Sequence, residues 1–588
     1  MLIAIVLLGS SARVAQQAST LKNELQQAAE LGPILKQNLV DRDADSARDT
    51  VSQMRSHTSL ARAAGEDPFW VAAQLIPWIG ANFKAGSEIA TSADDVVVLG
   101  AEPLSTVMES LDWEALTPTE NGIDMSGLVA AKPRINSAAY AIGASADRLQ
   151  KIEGQQLITP VAEAVTRAQS ELRAVRSDLD KAADIASLAP DMLGNRQQRN
   201  YLLLIQNNAE IRATGGIPGA MGILSVSAGK IELRDVTSAA HFGTTDPPVT
   251  VDMLQRQIYT SRMGKYMQDV NLTPDFPTTS MLAQSMWKSK TGQEVDGVLS
   301  IDPIALSYVL DATGPVELST GPTALSRSSG IRDLPKSLSG SNLVQTLLSD
   351  VYVNIPNPSD QDAYFAEVAR GAFSAISSGA GDSRSFISSL TRGVSEGRIL
   401  LWSADKGEQS TLAKYDLSGS VETNSEFPSR FGVYFNDATG AKMDYYVKRT
   451  VQLIKECPAN GYEETRVRVT STNTAPIDAA TSLPEYVTGG GHFGVAAGTV
   501  QTNIISYGPV QANIESATID GQKTPFAPYL HANRPVGVIA QQLGPGESKT
   551  VDFLFGKIVQ HTEPSLVVTP TVQPVKDVIL PTEEAPCQ

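Results

Sequence analysis

The residues best suited to chemistry lie in one segment near the middle of the chain. Residues 201–216 begin as an apolar strand and continue as a polar loop with three amides, a carboxylate and an arginine. Loops that follow buried strands of α/β sheets commonly hold ligands. Arg212 could bind a phosphate or carboxylate through paired N–H groups, beside the amides of Asn207 and Asn208. Glu210 could accept a proton or orient the guanidinium, so the segment predicts an anion-binding site.

A structural interpretation of the same loop stays open. Asn207, Asn208 and Glu210 could satisfy backbone groups, because short polar side chains readily bond to nearby N–H and C=O groups. Arg212 would then pair with Glu210 inside the protein. The two interpretations differ in whether the guanidinium is free to meet a ligand.

A second cluster lies in residues 271–277. Pro274 and Pro277 hold an extended loop around Asp275, which could act as a metal ligand or base. Asn271, in the same loop, is a further candidate for ligand binding. Equally, Asp275 could cap a helix that begins close behind it.

Composition and motifs exclude several classes of chemistry. The sequence contains no G-x-x-x-x-G-K-[ST] phosphate loop and no H-E-x-x-H zinc pair. A formal net charge of −17 argues against nonspecific nucleic-acid binding, which needs clustered Lys and Arg. The two cysteines, Cys457 and Cys587, are too few for a four-thiolate zinc site. A single bridge between them stays an open alternative.

Periodicity predicts a multidomain α+β protein. Residues 19–193 have helical spacing and form a helical stalk or bundle, with a heptad seam from Val161 to Ala182. Strands alternate with helices in residues 194–410, which is typical of an α/β domain. Short alternating strands with Gly and Pro turns predict an immunoglobulin-like β-sandwich in residues 425–560. Residues 561–588 form a tail rich in Pro and Thr.

The first eight residues are apolar, and two interpretations of them are open. A bilayer span needs about 20 apolar residues, and the run is too short and lacks the positive start of a signal peptide. It is either the hydrophobic first turn of a soluble helix or the outer half of a signal-anchor. We favour the anchor, with residues 1–18 as its remnant, because long helical patterning follows directly.

Several segments resemble the family known as domain of unknown function 4012. The resemblance is closest in residues 199–216, where the run Asn-Asn-Ala-Glu-Ile-Arg is specific, and it extends over most of the chain after about residue 68. Further matching segments are 271–277, 296–298, 312–316, 436, 442–446 and 483–487. Members of that family look like membrane-anchored, outward-facing proteins of Gram-positive envelopes. The resemblance therefore implies a single-pass membrane protein with an extracellular bulk.

A looser resemblance extends to the LytR-CpsA-Psr domain. The order of strand, polar loop, strand pair and Asn-containing loop, followed by residues 295–316, is similar to that family. Arg234-Asp235 falls near its Arg-Asp-Thr motif, whereas its Arg-Ser-Asp-Thr motif has no match at residues 218–221. That family transfers phosphate-linked glycopolymers from a polyprenyl pyrophosphate carrier to peptidoglycan, with Arg, Asp and a divalent metal.

This second resemblance implies an α/β domain that binds or transfers a phosphate-linked glycan or a polyprenyl-phosphate lipid, with a divalent metal for which Mg²⁺ is the candidate. Arg212 and Arg234 would neutralise the pyrophosphate, as positioned cations do in phosphoryl transfer. Glu210, Asp235 or Asp275 would hold the metal or activate the acceptor hydroxyl. The competing expectation, favoured by the missing motif, is a noncatalytic envelope scaffold that organises other proteins. Convergence of Arg212, Glu210 and Asp275 on one cleft would favour the first expectation over the second.

Overall fold

The computed structural model describes residues 2–318, 334–379, 381–422 and 429–587. Its contacts divide the chain into two compact units. The first comprises Met1–Leu116 and Ile123–Gln197, and the second comprises Thr117–Gly122 and Gln198–Gln588. The fold is mixed α+β, with helices in the N-terminal part and several sheets in the C-terminal half, which confirms the predicted class.

The first unit is helical. Its predicted heptad seam lies on the last helix, where Leu172 and Leu179 are buried against Ile142 and Leu149 of the preceding long helix. A seam with spacing of four and three residues thus packs within the unit. The helices are α1 (Leu2–Asp41), α2 (Ala44–Gly65), α3 (Pro68–Ala73), α4 (Gly80–Asp95, followed by the π-helical segment Val96–Ala101), α5 (Glu102–Ser110), α6 (Ser126–Gln150) and α7 (Thr159–Met192).

The second unit begins with a mixed five-stranded sheet, called sheet I, in the order β3-β2-β1-β4-β7. Strands β1 and β4 are parallel neighbours, and the other pairs are antiparallel. The apolar run in β1 is buried on both faces, as a central strand requires. The strands are β1 (Arg199–Asn207), β2 (Ile217–Ser227), β3 (Lys230–Ser238), β4 (Gly297–Ile301), β5 (Val316–Glu317), β6 (Ser337–Leu338) and β7 (Ile399–Ser403); β5 and β6 pair separately.

Helices accompany sheet I along the chain and cover its apolar side chains. Trp287 and Phe276 of α10, for example, share a core with Val298 of β4. The helices are α8 (Ala239–Phe242), α9 (Met253–Tyr259), α10 (Phe276–Thr291), α11 (Pro303–Thr313), α12 (Leu343–Gln345), α13 (Val351–Asn354), α14 (Pro358–Ser377), α15 (Ser383–Ser395) and α16 (Lys406–Leu412). Nowhere in the described ranges does a helix combine the length and apolar character needed to cross a bilayer.

Two further sheets share one core built around Phe431, Phe435, Phe553 and Phe555. Sheet II has the order β13-β12-β16-β10-β9-β18, and sheet III has the order β14-β15-β11-β8-β17. The strands are β8 (Arg430–Asp437), β9 (Val447–Ala459), β10 (Tyr462–Asn473), β11 (Val500–Tyr507), β12 (Asn513–Ile519), β13 (Gln522–Lys523), β14 (Ala527–His531), β15 (Arg534–Leu543), β16 (Ser548–Ile558), β17 (Ser565–Val568) and β18 (Glu583–Glu584). The short helices are α17 (Ala479–Ser482), α18 (Glu485–Thr488) and α19 (Val575–Val578).

The Pro- and Thr-rich tail adds a strand to each of these sheets. Strand β17 pairs in parallel with β8, and β18 pairs in parallel with β9. A disulfide between Cys457 and Cys587 ties the end of the tail to β9, with 5.5 Å between their Cα atoms. The structure therefore contains the single bridge between the two cysteines that the sequence left open.

Replacing Cys587 with Ser should destabilise the second unit. The bridge closes a loop with a sequence separation of 130 residues, and its loss gives the unfolded chain more conformational freedom. We expect urea unfolding to show a loss of about 2–5 kcal/mol. A reducing agent should lower the stability of the original protein to the same level without affecting the variant. Equal stability of the two proteins under oxidising conditions would contradict this expectation.

Candidate functional site

The turn after β1 is shaped by two glycines. Gly215 has a φ of +138°, in the range that residues with a side chain rarely adopt. A Cβ atom on Gly216 would lie 2.2 Å from the carbonyl carbon of Asn207, so no larger residue fits there. The pair of glycines therefore lets the chain fold back tightly from β1 into β2.

Arg212 and Glu210 lie inside this turn and are buried, with 6% and 4% of their surfaces exposed. Nη2 of Arg212 donates to Oε1 of Glu210 at 2.9 Å, and Nη1 donates to the carbonyl oxygen of Ile211 at 3.0 Å. Nε has no acceptor within the described parts of the chain. The second carboxylate oxygen of Glu210 accepts a short hydrogen bond from Lys442, which is also buried. Glu210 thus lies between two cations.

Two further carboxylates approach the guanidinium. Oδ1 of Asp269 lies 3.7 Å from Nη2 of Arg212, and Oδ2 of Asp437 lies 4.0 Å from Nη1. Glu210, Arg212, Lys442, Asp269 and Asp437 are called the buried ion cluster below. Each of its members is less than a tenth exposed, so the cluster belongs to the interior of the second unit.

Burial and neighbouring charges shift the pKa values of two acids of this cluster. Burial alone would raise the pKa of Glu210, but Lys442 and Arg212 hold the pKa of this carboxyl below its ordinary value. Burial, together with repulsion from Asp444 and Glu210, raises the pKa of Asp437 to about 7. A protonated Asp437 relieves the crowding of negative charge around Arg212.

The candidate amides of Asn207 and Asn271 also make internal contacts. Nδ2 of Asn207 donates to the hydroxyl of Tyr352, and Oδ1 of Asn207 accepts from the backbone N–H of Ala209. Nδ2 of Asn271 donates to the carbonyl oxygen of Gly216 at 2.8 Å, which holds the turn in place. These contacts agree with the interpretation in which polar side chains satisfy loop backbone groups.

Asn208 belongs to a second buried polar group. Its Nδ2 donates to Oδ2 of Asp302 at 3.1 Å and to the carbonyl oxygen of Pro570 at 3.4 Å. Asp302 also pairs with Arg398 at 2.8 Å, and Arg398 donates to the carbonyl oxygen of Thr571. The tail therefore lies across the ends of β1 and β4, where α/β sheets commonly bind ligands.

Asp275 caps α10. Its Oδ2 accepts from the backbone N–H of Thr278 at 3.2 Å and from the hydroxyl of the same residue at 2.6 Å. Its Oδ1 accepts from the backbone N–H of Val421 at 3.1 Å. Both carboxylate oxygens are thus engaged, as the capping alternative requires.

The structure places Arg234 and Asp235 apart from the turn. Both are exposed on the edge strand β3, and Arg234 pairs with Glu232 at 2.6 Å. Arg234 faces Ile223 in β2, which in turn faces Leu202 in β1. Arg234 therefore lies level with a residue five positions before the end of β1, which is about 17 Å along the strand from the turn. Arg234 and Arg212 do not form one site.

Sequence reasoning assigned no role to Lys442, Asp437 or Asp444, although it noted residues 436 and 442–446 as part of the family resemblance. Lys442 is 232 residues away from its partner Glu210. Asp444 accepts from the backbone N–H of Ile211 at 3.1 Å and pairs with Arg449 at 2.5 Å. The resemblance marked Lys442 and Asp444 but not Asp437, and no local pattern shows that any of the three meets the turn.

A cleft of about 470 Å³ lies next to the turn and the tail. Its walls include Thr214, Lys414, Tyr415, Arg430 and Thr569, whereas Arg212 and Glu210 do not line it. Oδ1 of Asp416 lies 3.8 Å from Nη2 of Arg430, so the cleft carries both signs of charge. Within the described ranges, no group of three or more His, Cys, Asp or Glu side chains is arranged to hold a metal ion.

Replacing Arg212 with Ala should strongly destabilise the second unit. The change leaves Glu210 and nearby acids buried with less compensation, and breaking a buried ion pair in this way costs about 3–5 kcal/mol. Arg234→Ala is the matched control, because its exposed pair with Glu232 contributes only about 0–1 kcal/mol. Urea unfolding measures both effects. Similar small losses in the two variants would contradict the structural role of Arg212.

Asp437→Asn should change the pH dependence of stability. The pKa of Asp437 is about 7 in the folded protein, against about 3.9 in an unfolded chain. Its contribution to stability is therefore fully present below about pH 4 and is lost as the pH rises through about 7. Asn carries no charge, so the stability of the variant relative to the original protein should increase from pH 4 to pH 8, by up to about 4 kcal/mol. Urea unfolding across this range measures the difference, with the exposed change Glu563→Gln as control. A constant difference would contradict the pKa shift.

Comparison with known proteins identifies the family of the central part of the chain. Residues 196–352 match the family described as "Protein of unknown function (DUF4012)". No curated protein matches the sequence. The matched range includes the turn after β1, which confirms the family resemblance seen in residues 199–216. Residues 196–352 of the chain are therefore similar to the DUF4012 family.

Proposed function

We propose that this protein is an outward-facing envelope protein that works as a noncatalytic scaffold. A helical stalk anchored at its N-terminus would carry an α/β domain and an immunoglobulin-like β-sandwich. One observation supports the proposal most directly. The Arg212 guanidinium is buried and donates hydrogen bonds to Glu210 and Ile211 of its own chain.

The chemistry of anion binding supports this choice over a site at Arg212. Recognition of a phosphate needs guanidinium N–H groups that are directed at the ligand. Arg212 directs its terminal nitrogens to acceptors of its own chain and lies within the interior. Removing it from Glu210 to meet a ligand would leave a buried carboxylate with one cation fewer, at a cost of several kcal/mol.

The contacts within the second unit favour a rigid scaffold over an active site that closes on a ligand. The turn after β1 is held by Lys442 and Asp444, which lie beside β9. The tail bonds to Asn208 and Arg398, at the end of sheet I. Buried ion pairs of this kind are strongly destabilising to break, so the elements keep fixed positions. A scaffold needs fixed surfaces of this kind.

The disulfide supports the outward location. Cytosolic proteins rarely keep structural disulfides, because cellular thiols reduce them, whereas extracellular proteins keep them. The bridge between Cys457 and Cys587 therefore fits a protein whose second unit faces the outside. The apolar residues 1–8 would place the other end of the chain at the membrane.

A second candidate function is binding or transfer of a phosphate-linked glycan or polyprenyl-phosphate lipid at the cleft beside the turn. Its volume of about 470 Å³ falls in the range of small-molecule sites. Arg430 and Lys414 supply cations, and Tyr415 supplies an aromatic face for a sugar. On this hypothesis Mg²⁺ would accompany the pyrophosphate. The site would then be the cleft, without Glu210, Asp235 or Asp275.

Titration of the purified protein with a polyprenyl-pyrophosphate glycan and Mg²⁺ separates the two functions. The scaffold predicts no saturable heat of binding and no product in a parallel turnover assay. The second candidate predicts binding that Arg430→Ala weakens at least about tenfold, as loss of a charge-assisted contact should, while Arg234→Ala leaves it unchanged.

Arg212→Lys provides the decisive control, since it keeps the buried positive charge. Binding or turnover that this variant abolishes, with its circular dichroism and unfolding midpoint preserved, would overturn the scaffold proposal. That result would return the function to the turn after β1.

A further inference from the structure

The loop between α3 and α4 exposes an unusual amount of apolar surface. Trp78 is 95% exposed and Leu75 is 85% exposed. Four residues close to them in sequence are each about half exposed: Phe69, Val71, Ile76 and Ile79. These six side chains are called the apolar loop patch. A cluster of large exposed apolar residues marks an interaction site rather than an ordinary surface.

The composition of the loop points to an apolar partner. No charged residue occurs from residue 68 to residue 83, although the whole chain carries 111 formally charged Lys, Arg, Asp and Glu residues, the sum of 47 and 64. Protein-binding surfaces normally have a polar rim with charged residues around their apolar centre. A segment of sixteen uncharged residues with exposed Trp, Leu and Ile is typical of sequences that lie at a membrane–water boundary.

Trp78 is also in an unfavourable backbone conformation. Its φ is +66°, in the left-handed region that bulky residues rarely adopt. Glycine or asparagine would adopt this backbone conformation at a lower free-energy cost. Because the indole is exposed, no burial of its apolar surface within the fold offsets that cost. Strain at a fully exposed aromatic residue is a reason to look for a role in binding.

The position of the patch in the fold indicates what it contacts. Asp67 caps α3 and accepts from Arg13 of α1 at 3.1 Å and from Gln17 of α1 at 3.0 Å. Trp70 of α3 shares a buried cluster with Leu21. The patch is therefore tied to the first half of α1. Arg13 follows the start of α1 by about 17 Å of helix, and residues 2–8 at that start are apolar in sequence.

We propose that residues 75–79 insert into the interfacial layer of a phospholipid bilayer, as a second membrane contact beside the start of α1. The indole of Trp78 would lie at the headgroup level, and Leu75 and Ile76 would reach the upper acyl chains. This inference rests on the membrane location in the proposed function and adds a contact that orients the stalk. Because the loop has no cations, the contact depends on apolar insertion and not on anionic lipid.

Co-sedimentation of the full chain with vesicles of phosphatidylcholine tests the proposal. The double variant Leu75→Ser/Trp78→Asn should bind at least about tenfold more weakly than the original protein, since burial of even one large apolar side chain contributes that much. Tyr140→Ser is the matched control, because Tyr140 is 82% exposed on α6 of the same unit, and it should bind within about twofold of the original. Adding phosphatidylglycerol should not increase binding.

Two readouts distinguish insertion from a structural effect. Brominated acyl chains should quench part of the tryptophan fluorescence of the original protein, and Trp78→Asn should abolish that part. The same variant should unfold at an equal or higher temperature, because Asn tolerates the positive φ better than Trp. Loss of vesicle binding caused by unfolding would instead lower the melting temperature.

Unchanged vesicle binding in the double variant would overturn the proposal. So would self-association of the original protein, measured by analytical ultracentrifugation, that disappears in the double variant while vesicle binding persists; that result would assign the patch to a second copy of the chain. The scaffold proposal is tested separately, through the Arg212 and Arg430 variants, and it survives or fails independently of these outcomes.

Discussion

The second unit depends on one buried interaction, in which the Glu210 carboxylate lies between Arg212 and Lys442. Removing three charges from water is costly, and the cost is offset only while all three stay together. The carboxylate and the arginine belong to the turn after β1, and the lysine comes from the segment between β8 and β9. The interaction therefore joins sheet I to the part of the chain that forms sheets II and III.

The backbone of the turn also depends on hydrogen-bond partners from later segments of the chain. The N–H of Ile211 donates to Asp444, and the N–H of Ala213 donates to Oδ1 of Asn436 at 2.9 Å. The hydroxyl of Thr569, in the tail, donates to the carbonyl oxygen of Ala213 at 2.9 Å. Buried backbone groups need such partners, and here the partners come from segments more than 200 residues further along the chain. A loop with the composition of a ligand site thus acts as a structural junction.

Patterns that are local in sequence allowed much of the fold to be predicted. The apolar run in β1, the heptad seam of α7 and the alternation in β10 each reflect contacts made by one face of one element. The two tail strands were not predicted, because β17 and β18 are short and form only by pairing with β8 and β9. Strand pairing at that sequence separation leaves no periodic signal in the tail itself.

By itself, the sequence determined the α+β class, the helical N-terminal part, the family of residues 196–352 and the polar character of the turn. It also identified Asp275 and the amides as residues with two open roles. The tertiary structure alone decided that Arg212 is enclosed, that Arg234 lies apart on an edge strand, and that Lys442 is the second cation beside Glu210. The physical reason is that residue type sets which bonds a side chain is able to form, whereas burial and partner choice depend on segments more than 200 residues away.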